Sequence, residues 1–280
     1  RGVKAGSWME GAEPEVSRMG HVSGRVVVVT GASSGIGREL SRQLASEGAR
    51  VALIARRVER LQQLEDEIAS LGGVARAFAC DLTDAGAVAQ LPGRVREVLG
   101  PADILVNNAG RGAHGPFEQI DRAIQDQVLR TNLDGVIDCT RAFLPQLQES
   151  ERGQLVFVSS VLARLPAPEH AVYAATKWAV SGLAESLYYE LAPRGIDVVL
   201  VEPGLVQSEF AENASTPLAR YRWVPAASSA QAAVQIRRAM RRNQPHRIAD
   251  RLIALVIAVK RHMPRLFRVI LGVVYRKARG

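Results

Sequence analysis

Arg25-Val26-Val27-Val28-Val29 is an unbroken β-branched run, and it passes directly into Thr30-Gly31-Ala32-Ser33-Ser34-Gly35-Ile36-Gly37 and a helical pattern from about Arg38 to Glu47. A strand without polar alternation is buried on both faces, which places it inside a parallel sheet covered by helices. The glycines after it let a backbone approach a pyrophosphate, and the following helix offers free N–H groups and a positive dipole end. A glycine cluster can also be no more than a tight turn. Its position between a buried strand and a helix favours a phosphate cradle.

The same punctuation recurs along the chain. Val51 to Ala55 is a second strand, ending in Arg56-Arg57 before a charged helix from Val58 to Leu71. A carboxylate at that strand end would take the ribose hydroxyls of NAD, whereas arginine accommodates a 2′-phosphate. NADP is therefore the expected cofactor, with NADPH preferred over NADH; the plainer alternative is that Arg56 and Arg57 only open the charged helix. A third strand, Ala75 to Cys80, runs into Asp81-Leu82-Thr83-Asp84, where Thr83 or Asp84 caps the next helix. Asp103 to Val106 leads to Asn107-Asn108-Ala109-Gly110, Gln154 to Val158 to Ser159-Ser160, and Ile196 to Val201 to Glu202-Pro203-Gly204. Alternating strands and helices predict an α/β fold, a doubly wound parallel sheet of Rossmann type with its site at the strands' carboxyl ends. One domain over 23–244 suffices, between a leader at 1–22 and a helical extension at 245–280.

Tyr173 and Lys177 are four residues apart in a segment that reads as helix, so they share a face with Cβ atoms roughly 5 to 6 Å apart. An ammonium beside a phenol favours the phenolate, and the sequence predicts a depressed tyrosine pKa suited to acid–base work.

Thr30-Gly31-x-x-x-Gly35-Ile36-Gly37, Asn107-Asn108-Ala109-Gly110, Asn132, Ser160, Tyr173-x-x-x-Lys177 and Pro203-Gly204, in this order, resemble a short-chain dehydrogenase/reductase over about residues 23 to 242. Within that family the chain resembles NADPH-preferring members such as the hydroxysteroid dehydrogenase-like carbonyl reductases. The resemblance implies that Tyr173 exchanges the proton at the substrate oxygen and that Ser160 hydrogen-bonds that oxygen. Lys177 would bind the nicotinamide ribose and depress Tyr173, and Asn132 would hold a water in a relay to Lys177. It further implies cofactor contacts from Gly31, Ser33, Ser34, Gly35, Ile36, Gly37, Arg56, Arg57, Asp81, Leu82, Asn108, Ala109, Gly110, Tyr173, Lys177, Pro203, Gly204 and Val206. Ser208 stands where the family often has threonine and keeps the hydroxyl. Building alkoxide character on a carbonyl is chemistry that a hydroxyl donor and an acidified phenol can stabilise.

Outside this core, Leu205 to Pro225 is irregular and carries Phe210, Tyr221 and Trp223, the place of a substrate lid. With Leu162, Leu165 and Trp178 these aromatics suggest a lipophilic substrate of steroid or long-chain lipid type, or else a cover for the protein's own core. The formal charge is +8, and residues 245–280 hold nine Lys/Arg against Asp250 alone, so the remainder is formally neutral. The body thus has no basic footprint for nucleic acid. After Pro245 the chain departs from the family's usual short last strand. It offers instead Leu252 to Val259 and Leu266 to Tyr275, too short to span a bilayer but suited to an interfacial helix or to packing over the pocket or a partner subunit.

Cys80 and Cys139 stand alone, with no metal-ligand spacing, and fit a reducing compartment. The first twenty residues lack the apolar segment of a signal peptide. Residues 1 to 18 read as tag, upstream translation or leader, since Met9 and Met19 precede the first strand. The expectation is a cytoplasmic homodimer or homotetramer, peripheral at the inner face of a membrane if 245–280 docks there. Helices around Arg122 to Gln148 and Tyr173 to Ala192 would form its dimerising pair. Two alternatives stand beside this oxidoreductase: a catalytically silent dinucleotide-binding sensor or scaffold, and a sugar-nucleotide epimerase with retained NAD.

Overall fold

The structure, a computed structural model, describes residues 22–207, 226–248 and 251–279. Its centre is a seven-stranded sheet built from β1 (Val26–Thr30), β2 (Arg50–Ala55), β3 (Val74–Ala79), β4 (Ile104–Asn107), β5 (Gln154–Val158), β6 (Asp197–Glu202) and β9 (His246–Ile248). The order is β3-β2-β1-β4-β5-β6-β9, and every neighbouring pair is parallel. A separate two-stranded pair joins β7 (Val206–Gln207) to β8 (Ala227–Ser228). This is the doubly wound Rossmann-type architecture expected for one domain.

All five residues of β1 are buried, as a strand read on both faces requires. Successive side chains point to opposite faces, so Val27 and Val29 join one core and Val26 and Val28 the other. On the first face lie α1 (Gly35–Ser46), α2 (Val58–Ser70) and α7 (Ser229–Arg241), contributing Leu40, Leu44, Leu61, Leu64 and Ile236. On the second lie α3 (Ala85–Leu99), α5 (Gly135–Glu149) and α6 (Ala171–Leu191), contributing Leu91, Val95, Phe143 and Val180. Val22, assigned to the leader from sequence, is 1% exposed and belongs to the first core. The cap of α3 is Asp84, whose carboxylate accepts from Ala87 N–H at 3.0 Å.

Two features differ from the sequence reading. The helix expected from Arg122 is divided: α4 (Arg122–Leu129) and α5 are separated by a π-helical turn at Arg130–Asp134, in which Gly135 N–H bonds to Arg130 C=O. Such turns commonly re-aim a side chain at a functional site, and the one re-aimed here is the fully buried Asn132. Second, a short last strand does exist: β9 pairs Leu200 with His246 and Glu202 with Ile248. Three residues centred on Arg247 are too few to show any periodicity, which is why the sequence gives no sign of it. Beyond it the extension forms α8 (Arg251–His262) and α9 (Pro264–Arg279), with Pro264 at the first helical position, where its missing N–H costs nothing.

Candidate active site

The carboxyl ends of β1 and β4 meet at the point where the strand order reverses. Thr30 Oγ1 accepts from Asn108 and Ala109 N–H, both at 3.0 Å, and donates to Val106 C=O at 3.2 Å. Asn108 Nδ2 returns a bond to Thr30 C=O at 2.9 Å, and Asn107 Nδ2 reaches Thr140 Oγ1 at 2.9 Å. Gly31 has φ +70°, and a Cβ there would lie 2.8 Å from Ala109 Cα. At Gly37 a Cβ would lie 2.3 Å from Gly31 C=O and 2.5 Å from Asn108 Nδ2. No residue with a side chain fits between these segments without displacing backbone. The glycine turn is thereby held flat against the β4 loop, with the N-terminus of α1 behind it, which is the cradle a dinucleotide pyrophosphate needs. Ile36 packs its side chain back onto the core.

At one end of this cradle Arg57 reaches the turn. Its guanidinium donates to Ser33 Oγ at 3.0 Å and to Ser34 Oγ at 2.7 Å. Arg56 instead pairs with Asp81 at 3.8 Å, both groups being largely exposed. Asp81 also accepts from the Thr83 N–H at 3.0 Å and hydroxyl at 2.9 Å. Burial alone would raise its carboxyl, but these bonds with Arg56 and Arg111 hold it below the usual range. Leu82 is buried. The fold thus separates the two neighbouring arginines, one on the glycine turn and one on Asp81.

At the other end, β5 delivers Ser159 and Ser160, and the first turns of α6 carry Tyr173, Thr176 and Lys177 inward. The Ser160 hydroxyl lies beside the Tyr173 phenol and favours its ionised form, and Ser160 Oγ accepts from Leu162 N–H at 3.2 Å. The Lys177 ammonium is 5.8 Å from the centre of the Tyr173 ring and donates to Val158 C=O at 2.9 Å. Asn132 Oδ1 accepts from Arg111 N–H at 2.7 Å, while its Nδ2 donates to Arg111 C=O at 2.9 Å and lies 3.2 Å from Thr176 Oγ1. Asn132 therefore pins the loop after β4 to α6. A Cβ on Gly110 would be 3.7 Å from Asn132 Oδ1 and 3.8 Å from Lys177 Nζ, so that glycine lies over both polar groups.

The depressed phenol expected from the Tyr173/Lys177 spacing is not what this geometry produces. Burial dominates and pushes Tyr173 up to about 12, with only the Ser160 hydrogen bond pulling it down. Burial also brings Lys177 down to about 8. Helical spacing fixed proximity, but the ammonium is directed at a backbone carbonyl and both groups are dehydrated.

Two parts of the site carry no sequence signal, and a third meets the expectation that the C-terminal extension could pack over the pocket. His114 and His170, 56 positions apart, form an edge-to-face pair with ring centres 4.3 Å apart, and His114 lies 6.4 Å from the Tyr173 ring. Burial, then proximity to His170, lowers His114 to about 4. Behind the Ser160 and Tyr173 segments, the fully buried Glu202 accepts from Arg164 Nε at 2.9 and 3.2 Å, lies 2.9 Å from Ser181 Oγ and meets His246 Nε2 at 2.8 Å. Ser181 Oγ also lies 2.9 Å from Ser159 Oγ, which donates to Lys177 C=O at 3.0 Å. Finally, α8 comes over the strand ends. A Cβ on Gly204 would be 3.1 Å from Ile253 Cδ1, and the Lys260 ammonium bonds Arg164 C=O and caps the Trp178 ring at 4.6 Å. Trp178 is thus engaged by the extension. Leu162 and Leu165 are half-buried beside Ser160. Pro203 C=O accepts from Val161 N–H at 3.0 Å, and Val206 opens β7. Ser208, Phe210, Tyr221 and Trp223 lie outside the described residues.

Known proteins resemble this chain in sequence and in fold. The short chain dehydrogenase family profile matches residues 25–219. A short chain dehydrogenase of Pseudocercospora fijiensis is 42% identical over 193 residues, 68% of this chain and 62% of that protein. The 3-oxoacyl-(acyl-carrier-protein) reductase FabG of Staphylococcus aureus is 37% identical over 192 residues, covering 68% of this chain and 78% of its own. This chain spans less than two thirds of the length of the first of these relatives. Among solved structures, a metagenomic short-chain oxidoreductase in complex with NADP is 35% identical, with a TM-score of 0.70 over 81% of this chain and 97% of its own.

Proposed function

The chain belongs to the short-chain dehydrogenase family, and from that premise we propose that it is an NADP(H)-dependent oxidoreductase interconverting a carbonyl and a secondary alcohol on a lipophilic substrate. The observation that carries the reading is the buried Tyr173/Lys177 pair beside Ser160, with the Lys177 ammonium 5.8 Å from the Tyr173 ring and Gly110 of the β4 loop over it. When bound, the nicotinamide supplies or accepts the hydride. Tyr173 donates a proton to the substrate oxygen in the reductive direction and Ser160 holds that oxygen; in the oxidative direction the proton returns. Lys177 restores the phenol through a relay that reaches Asn132. Because the Asn132 side chain is bonded to Arg111 and Thr176, its part in that relay falls to its main-chain carbonyl.

Arg57 over Ser33 and Ser34 supports NADPH in preference to NADH, since a guanidinium and two hydroxyls form a ready socket for a 2′-phosphate. The NADP held by the metagenomic oxidoreductase is in keeping with that. Half-buried Leu162 and Leu165 beside Ser160 support a lipophilic substrate, and the name of the Staphylococcus aureus reductase points to a chain bearing a 3-keto group as one candidate. A homodimer through α4–α5 and α6 is supported by the exposed Ile124 and Tyr189 on those helices.

Tyr173→Phe tests the assignment. The variant should lose NADPH-dependent reduction of steroidal and long-chain 3-keto substrates while binding the cofactor as tightly as the parent. Turnover retained in the variant would remove Tyr173 as the acid; cofactor binding without turnover in the parent would favour a dinucleotide sensor.

A further inference from the structure

Fourteen large apolar side chains stand well exposed among the described residues, and seven of them lie between Leu255 and Val273. The wider stretch around them, residues 245–280, carries the whole formal charge of the protein, +8 of +8. Apolar exposure and positive charge are therefore concentrated on one helical pair.

Their arrangement on α9 is ordered. Leu266, Val269, Ile270 and Val273 follow the i, i+3, i+4, i+7 spacing and occupy an arc of about 100°. All four are exposed, Val269 by 64%. Phe267 and Leu271, on the next side of the helix, are half-buried. Arg265 and Arg268 occupy the third side and are exposed. One side of α9 is thus half-buried, one is greasy and outward, and arginines border the greasy one.

We propose that α8 and α9 dock the protein flat on an anionic lipid bilayer, with the Leu266/Val269/Ile270/Val273 stripe below the headgroups and the arginines on lipid phosphates. Neither helix among the described residues is long and apolar enough to cross a membrane, and sixteen residues rise only about 24 Å against a hydrocarbon core of about 30 Å. Apolar side chains rimmed by cations match a surface of acyl chains beneath anionic headgroups. A second copy of this chain matches it poorly, because face-to-face association would bring two segments of +8 together. A nucleic acid would engage the arginines but leave the stripe in water.

Docking would also orient the protein. Lys260 ties α8 to Arg164 C=O and Trp178, residues close in sequence to Ser160 and Lys177, and Ile253 rests on Gly204. The helical pair is fastened beside the catalytic segment, so a docked molecule holds its strand ends near the lipid.

The test is co-sedimentation of the full chain with phosphatidylcholine vesicles, with and without 30% phosphatidylglycerol, the lipid fraction being a choice of assay. Binding should be at least about tenfold stronger to the anionic vesicles and should weaken with salt. Val269→Asp/Ile270→Asp should lose at least about tenfold, and Arg265→Gln/Arg268→Gln about 30-fold. Circular dichroism and NADPH binding of both variants should match the parent, which separates this outcome from any failure of the oxidoreductase reading. Failure of the parent to sediment with anionic vesicles, or sedimentation indifferent to the aspartates, overturns the proposal. A parent dimer that the aspartates dissociate in light scattering, without vesicle binding, assigns the stripe to a second copy instead. Tighter binding to single-stranded DNA than to vesicles, unaffected by the aspartates, assigns the arginines to a polyanion.

Discussion

Removing the Arg57 guanidinium should change cofactor choice more than cofactor binding. Arg57 donates to Ser33 and Ser34 from the rim of the glycine turn, whereas Arg56 is drawn to Asp81 at 3.8 Å. A hydrogen bond to a charged group is worth roughly 1.5 to 3 kcal/mol, and the exposure of Arg57 argues for the lower part of that range. Arg57→Ala should therefore cost about 2 kcal/mol toward a 2′-phosphate, a loss of roughly 30-fold in NADPH affinity. NADH has no phosphate there, and its affinity should move less than about threefold. Arg56→Ala, which breaks a solvent-screened pair, should weaken NADPH by no more than about fivefold. Titrating each variant by nicotinamide fluorescence with both reduced cofactors gives the four ratios directly. Equal losses for NADPH and NADH in Arg57→Ala would mean that the guanidinium only shapes the turn. A parent protein that binds NADH more tightly would sink the phosphate argument altogether.

Gly37→Ala places a methyl 2.3 Å from Gly31 C=O, so urea unfolding should show a loss of at least about 2 kcal/mol together with weakened cofactor binding; an unchanged midpoint would show that the turn can move aside. Glu202→Gln leaves Arg164 without its buried carboxylate and should cost about 3 kcal/mol, the lower end for a broken buried pair because Arg164 also bonds Glu185. Denaturation of the single variant beside Glu202→Gln/Arg164→Met measures this, and the double variant should recover part of the loss. His114 sits near pH 4 in the fold against an ordinary value of about 6.5, so below pH 6.5 the unfolded chain binds a proton that the folded chain refuses. Stability should fall by about 3 kcal/mol between pH 6.5 and 4 from this group, and His170, also lowered by burial, acts in the same direction. His114→Asn should flatten that slope in urea midpoints taken at pH 7.5 and 4.5; an unaltered slope would place the acid sensitivity elsewhere.

What the sequence discloses about this protein is what local pattern can carry. Six of the seven strands were legible because apolar runs of four to six residues end in turn chemistry, and the meeting of Gly31, Asn108, Ser160, Tyr173 and Lys177 followed from their positions at strand ends and on one helix face. β9 was missed because His246–Ile248 is an edge strand whose place is set by β6 and Glu202 and not by its own composition. The π-turn at Arg130–Asp134 was missed because a single widened turn leaves an otherwise helical pattern intact. The phenol's acidity was misjudged for a different reason: spacing reports distance but not dehydration, and here burial outweighs the neighbouring ammonium. His114 and His170 meet only through the loop after β4 and the turn before α6, a contact that no local pattern encodes.

Glu202 gives this molecule a check on its own assembly. Parallel strands at a sheet edge are easily misregistered, since a slide of two residues keeps every side chain on its proper face. Here such a slide would carry His246 away from the carboxylate with which Arg164 and Ser181 are also engaged, leaving a dry charge short of a partner it has only in the correct register. Three segments distant along the chain must therefore agree before the carboxylate can leave water. The edge strand, invisible to periodicity, has its register tied through one carboxylate to α6 and to the segment that follows Ser160.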